Sequence, residues 1–106
     1  MLTRMLVPAG YETKEVESAE AALSTLAADE PISLVISDVQ MPGHDGLWLA
    51  AKIRERFPKI PIVLATGDET VPAAASFQPG IVAYLLKPLH RELVLAAVFR
   101  AIHAAQ

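Results

Sequence analysis

The chain has 106 residues, 53% of them hydrophobic and 20% charged, with a formal net charge of −3. That composition excludes a disordered chain, and a single domain of this length buries a core without staples. The absence of cysteine excludes disulfides, thiolate zinc sites and thiol catalysis, and no basic block marks a nucleic-acid footprint.

Met1 to Gly10 lacks the charge and cleavage layout of a signal peptide. Leu2, Met5 and Leu6 recur at helical spacing, and Pro8-Ala9-Gly10 stops that segment. Tyr11–Val16 reads as a polar edge strand of weak alternation. Ser18 is a suitable N-cap with Glu20 in the first turn; Ala19, Ala22, Leu23 and Leu26 then give one apolar helical face. Ile32–Ser37 is a short, β-branched, almost wholly apolar run, the pattern of a strand buried on both faces of a parallel sheet.

That run stops at Asp38. A loop follows, Asp45 is placed to cap the next helix, and Leu47, Ala50, Ile53 and Phe57 mark the face predicted to be buried. Ile60–Ala65 is a second buried strand, ending at Thr66-Gly67-Asp68. A short helix is predicted over Val71–Phe77, closed by Gly80. Ile81–Leu86 is a third apolar strand, ending at Lys87-Pro88, and a last helix runs from about Leu89 to Ala104. Its longest apolar run, Leu93–Phe99, is far too short to span a bilayer; burial against the sheet is the expected use, with a partner or dimer surface as the alternative. Strands alternating with helices predict βα units and a parallel sheet. A soluble cytoplasmic domain spanning residues 1–106 is expected.

In parallel α/β sheets, ligands bind beyond the carboxyl ends of the strands. Here those ends carry Asp38, Thr66 and Lys87: one acid, one hydroxyl and one amine. A carboxylate attacks a phosphoryl group and holds it as an acyl phosphate. An ammonium pairs with the phosphoryl oxygens, and a hydroxyl donates to one of them. Singly, each residue has an ordinary structural role: a cap or turn acid, a strand-end hydroxyl, a solvated surface charge. Their positions at successive strand ends, 28 and 21 residues apart, distinguish the set.

With these residues in place the sequence resembles the receiver domains of two-component response regulators. ISLVISDVQMPGHDGL is similar to their phospho-acceptor strand and loop, IPIVLATGD to the following strand, and AYLLKP to the last strand with its Lys-Pro pair. The resemblance implies a flavodoxin-like, doubly wound parallel sheet. It implies that Asp38 is phosphorylated, that Thr66 and Lys87 contact the phosphoryl group, and that Tyr84 follows the hydroxyl as a switch. It further implies a cis Lys87-Pro88 bond, magnesium held by Asp38 and the backbone carbonyl of Gln40, and a loop glycine at Gly46. A histidine kinase or phosphotransfer protein would be the donor, and the domain itself would be no enzyme.

One departure from the family is large. Such domains open with a buried strand and two acids that bind the metal, whereas Met1 already lies in what resembles the first helix. Four strands are therefore expected instead of five, the acidic pair is absent, and magnesium binding is expected to be weak. Glu12, Glu15 and Glu17 are no substitutes, lying on or beside the edge strand. The expectations that follow are a longer native chain, a homodimer formed through the last helices or by exchange of the N-terminal segment, or a degenerate receiver that acts as a phosphate-independent protein-interaction module. A phosphatase of the haloacid dehalogenase type would need a second acid where this chain has Gln40. His44, His90 and His103 form no metal cluster in sequence, and Trp48 has no clear base or nucleotide to stack upon.

Overall fold

Three apolar runs become three parallel strands, and the amphipathic segments between and after them pack on both faces of the sheet. A computed structural model describes residues 6–28, 31–40, 43–67 and 80–104. The strands are β1 (Val35–Asp38), β2 (Ile62–Thr66) and β3 (Ile81–Leu86), in the order β1-β2-β3. The helices are α1 (Ala19–Ala27), α2 (Gly46–Arg56) and α3 (Arg91–Ala104). The predicted helix over Val71–Phe77, and Leu2 and Met5 of the opening one, lie outside the described residues.

Every residue of β2 is buried, as its place between two neighbours requires. Alternation along it divides the core. Val63 and Ala65 join Leu6, Leu85, Val94, Ala97, Val98 and Ala101 on the α3 face. Ile62 and Leu64 join Ala19, Leu26, Leu49, Ala50 and Ile53 on the face covered by α1 and α2. Ile62, Val63 and Leu64 are each 0% exposed, and burial of each stabilises the fold by about 1.5–3 kcal/mol. Between Ile62↔Ile81 and Val63↔Ala83 the β2–β3 register slips by one residue. Val82, left out of the ladder there, is exposed.

The caps follow the sequence. The amide of Ala21 donates to Ser18 Oγ at 3.0 Å, and that of Trp48 to Asp45 Oδ1 at 2.8 Å. A 3-10 turn over Val7–Ala9 ends at Gly10, whose φ of 97° and N–H bond to the Val7 carbonyl close it.

Two expectations are corrected. The buried face of α2 is Gly46, Leu49, Ala50 and Ile53, with Leu47 and Phe57 only partly covered. The residue buried in the first turn is therefore Leu49 and not Leu47, because Gly46 fixes the entry of the helix. The fourth strand, Tyr11–Val16, does not form among the described residues: the segment enters no ladder. Glu12, Thr13, Lys14 and Glu15 are exposed, which leaves almost nothing apolar to bury on either side. No inner strand stands between this segment and β1 in the described residues, so β1 pairs with β2 alone. Tyr11 is the exception, its side chain packed against the α3-side core.

Candidate functional site

β1, β2 and β3 run parallel, so their last residues share one rim. The ladder continues past the strand ends and stitches that rim together. The amide of Val39 donates to the Ala65 carbonyl at 2.9 Å, and that of Lys87 to the Thr66 carbonyl at 2.8 Å. Asp38 and Lys87 are thereby set on either side of β2, with Thr66 between them at its end.

Lys87 Nζ lies 2.8 Å from Asp38 Oδ1. Both side chains are about half exposed, 44% and 48%, so the pair contributes at most about 1 kcal/mol to stability. Its significance is chemical: a carboxylate and its counter-charge meet at an open rim. Thr66 beside them is 1% exposed. Tyr84, on the adjacent β3, is half-buried, and desolvation pushes its phenol above the usual value. The Lys87–Pro88 peptide bond is cis.

The loop after Asp38 folds back onto the strand end. The Gly46 amide donates to the Val39 carbonyl at 2.7 Å. A Cβ at Gly46 would fall on the Asp38 carbonyl oxygen and crowd the Val39 Cα at 2.9 Å. Glycine is required here by close backbone approach, since its φ is not positive. Ser37 adds a bond absent from the sequence reading, its Oγ donating to the Asp38 carbonyl at 2.9 Å.

The structure thus brings Asp38, Thr66 and Lys87 together at one rim, with Tyr84 on the neighbouring strand. Gln40 lies two residues beyond Asp38 and is exposed. Among the described residues, no three histidine or acidic side chains converge as metal ligands. A magnesium ion takes about six oxygens. Asp38, already paired with Lys87, and one backbone carbonyl do not make such a set.

The sequence reading also missed a stacked pair. The His44 and Trp48 rings lie 3.8 Å apart at an interplanar angle of 10°. His44 lies in the loop before the Asp45 cap, outside α2, so no helical spacing signalled the contact. At the far end, His103 stacks on Phe99 at 3.9 Å and its Nδ1 lies 2.8 Å from the Phe99 carbonyl, away from the rim.

Residues 1–99 match the family model of the response regulator receiver domain. The chain is 44% identical over 100 residues to the response regulator protein FleR of Pseudomonas aeruginosa, covering 93% of this chain and 21% of FleR. It is 37% identical to the DNA-binding transcriptional regulator NtrC of Salmonella typhimurium, covering 96% of this chain and 22% of that protein. It therefore spans about a fifth of the length of these relatives. Among solved structures, the signal receiver domain of an HD domain-containing protein from Pseudomonas fluorescens superposes with a TM-score of 0.88 at 33% identity, over 98% of this chain and 77% of that one.

A parallel α/β domain with an acid, a hydroxyl and an amine at its carboxyl rim belongs to the signalling modules of two-component systems. The chain is a member of the response regulator receiver domain family, whose standard role is to accept a phosphoryl group. Receiver domains of this family generally bind magnesium and take their phosphoryl group from histidine kinases or phosphotransfer proteins.

Proposed function

We propose that this chain accepts a phosphoryl group on Asp38 from the phosphohistidine of a histidine kinase or phosphotransfer protein. The observation that carries this reading is the placement of Lys87 Nζ 2.8 Å from Asp38 Oδ1 at adjoining strand ends. An Asp38 oxygen attacks phosphorus, the O–P bond forms as the donor N–P bond breaks, and the donor nitrogen keeps the electron pair and takes up a proton. Lys87 offsets the charge on the phosphoryl oxygens, and the Thr66 hydroxyl turns to donate to one of them. Tyr84 then repacks on β3, so occupancy at the rim shifts an existing equilibrium at the β3–α3 face. The domain works as a switch in the cytoplasm, with chemistry limited to gain and loss of its own phosphoryl group. Among the described residues no helix is long and apolar enough to cross a membrane.

Magnesium, where bound, offsets charge between nucleophile and donor. In this chain Asp38 and the Gln40 carbonyl would be its protein ligands, and binding would be weak because, among the described residues, no cluster of acids joins Asp38. That deficit favours a second reading, a phosphate-independent interaction module. Leu93 and Phe99 on α3, 60% and 55% exposed, support self-association through the last helix in either reading.

Beryllofluoride, an acyl-phosphate mimic, separates the two. With magnesium present, it should shift the amide resonances of Thr66, Tyr84 and Lys87, and Asp38→Asn should abolish those shifts. Unmoved resonances at saturating reagent, in a folded protein, would favour the interaction module.

A further inference from the structure

We propose that Ser37 is a positioning residue for Asp38: its hydroxyl holds the Asp38 peptide plane and so sets the direction in which the carboxylate leaves the strand. The consequence for phosphoryl transfer rests on the reading of Asp38 as acceptor; the geometry does not. Val35, Ser37 and Val39 alternate onto one face of the extended chain, and Val35 and Val39 belong to the core under α1 and α2. Ser37 brings a hydroxyl to that apolar layer and is 8% exposed. A buried hydroxyl is costly without a partner. Here it donates to the Asp38 carbonyl at 2.9 Å.

That carbonyl is a group the described sheet does not hold. The amides of Val35 and Val39 donate to the carbonyls of Pro61 and Ala65, on the β2 side, at 3.1 and 2.9 Å. Alternation along a parallel ladder therefore turns the N–H and C=O of Asp38 away from β2. Among the described residues no strand pairs with β1 on that side. Gly46 packs against the same oxygen, so closely that a Cβ there would fall on it. The peptide plane between Asp38 and Val39 is thus pinned at both ends, its oxygen by Ser37 and its N–H by Ala65. A fixed plane fixes the Asp38 backbone, and from it the carboxylate reaches Lys87 Nζ at 2.8 Å. Lys87 is anchored separately, its amide on the Thr66 carbonyl at 2.8 Å. Without the Ser37 hydroxyl the plane can rotate about its remaining bond, and the carboxylate and ammonium no longer share one rigid frame.

Ser37→Ala removes the hydroxyl, and Ser37→Thr keeps it on a β-branched side chain that suits a strand. Labelling of Asp38 by acetyl phosphate with magnesium, followed across donor concentrations, should slow by about three- to tenfold in Ser37→Ala. The half-saturating donor concentration should not change, and Ser37→Thr should label within about twofold of the parent. Ser18→Ala, which loses the side-chain cap of α1, is the control for lost stability and should label like the parent. Two carbon resonances read the geometry with no donor present. In Ser37→Ala the Asp38 carbonyl carbon should move upfield as it loses a hydrogen bond, and the Asp38 carboxyl carbon should move as its contact with Lys87 loosens. Both should return in Ser37→Thr. Parental labelling in folded Ser37→Ala, slowing shared equally by Ser37→Thr or Ser18→Ala, or unmoved Asp38 resonances would overturn the proposal. A parent that accepts no phosphoryl group counts against the role of Asp38, and the two resonances then decide on Ser37 alone.

Discussion

The sequence predicts a strand both at β2 and at Tyr11–Val16, yet of the two only β2 joins a sheet among the described residues. β2 is apolar at every position but its last, has a neighbour on each side and is buried throughout. Tyr11–Val16 alternates poorly, exposes Glu12, Thr13, Lys14 and Glu15, and enters no ladder among the described residues. A strand in a parallel sheet needs side chains for both layers and a paired edge. The rim inherits this difference. It is fixed where β2 holds β1 and β3 in register, and the site lies at that end of the three-stranded ladder.

Substitutions in the two segments should therefore differ most in stability. Leu64→Ala opens a cavity in a fully buried position and should cost about 2–5 kcal/mol. Val16→Ala, at a position 41% exposed, should stay within about 0.5 kcal/mol. Urea denaturation of both variants decides; equal losses would mean that Tyr11–Val16 is packed as tightly as β2. Gly46→Ala tests the seam between loop and rim. Its methyl meets the Asp38 carbonyl, so a loss of about 1–3 kcal/mol is expected, with slower labelling of Asp38. Removal of the helix cap by Asp45→Ala should cost about 1 kcal/mol and leave the β2–β3 pairing intact by hydrogen exchange.

The smallest effect is one of pH. Burial raises the Tyr84 phenol above its ordinary value of 10.0, so the folded state holds that proton more tightly than the unfolded state. Stability is full below that ordinary value and falls as pH rises through the folded-state value. Tyr84→Phe should flatten this alkaline limb in pH-dependent denaturation; an unchanged slope would place the titration elsewhere.

The sheet core was legible because Ile32–Ser37, Ile60–Ala65 and Ile81–Leu86 are short, mostly apolar runs, each preceded by Pro, Lys or Gly. Observed β1 and β2 start three and two residues later and end one later, whereas β3 has the expected bounds. Asp38, Thr66 and Lys87 were legible as a set because a parallel sheet places successive strand ends on one rim. Leu49 was misjudged because the phase of α2 is set by the contact of Gly46 with the Asp38 backbone, which no helical period encodes. The His44–Trp48 stack was missed for a related reason: the loop's path into α2 decides it. The strand expected over Tyr11–Val16 enters no ladder among the described residues because a strand depends on a neighbour as well as on its own side chains.

The most direct test of the rim is chemical. Incubate the chain with a small-molecule phosphodonor and magnesium, and map the adduct by mass spectrometry in the parent, Asp38→Asn and Lys87→Ala. The expected result is slow labelling confined to Asp38, abolished in Asp38→Asn and reduced in Lys87→Ala, with both variants folded. An adduct that persists in Asp38→Asn, or labelling indifferent to Lys87, would contradict the assignment of this rim as the phospho-accepting site.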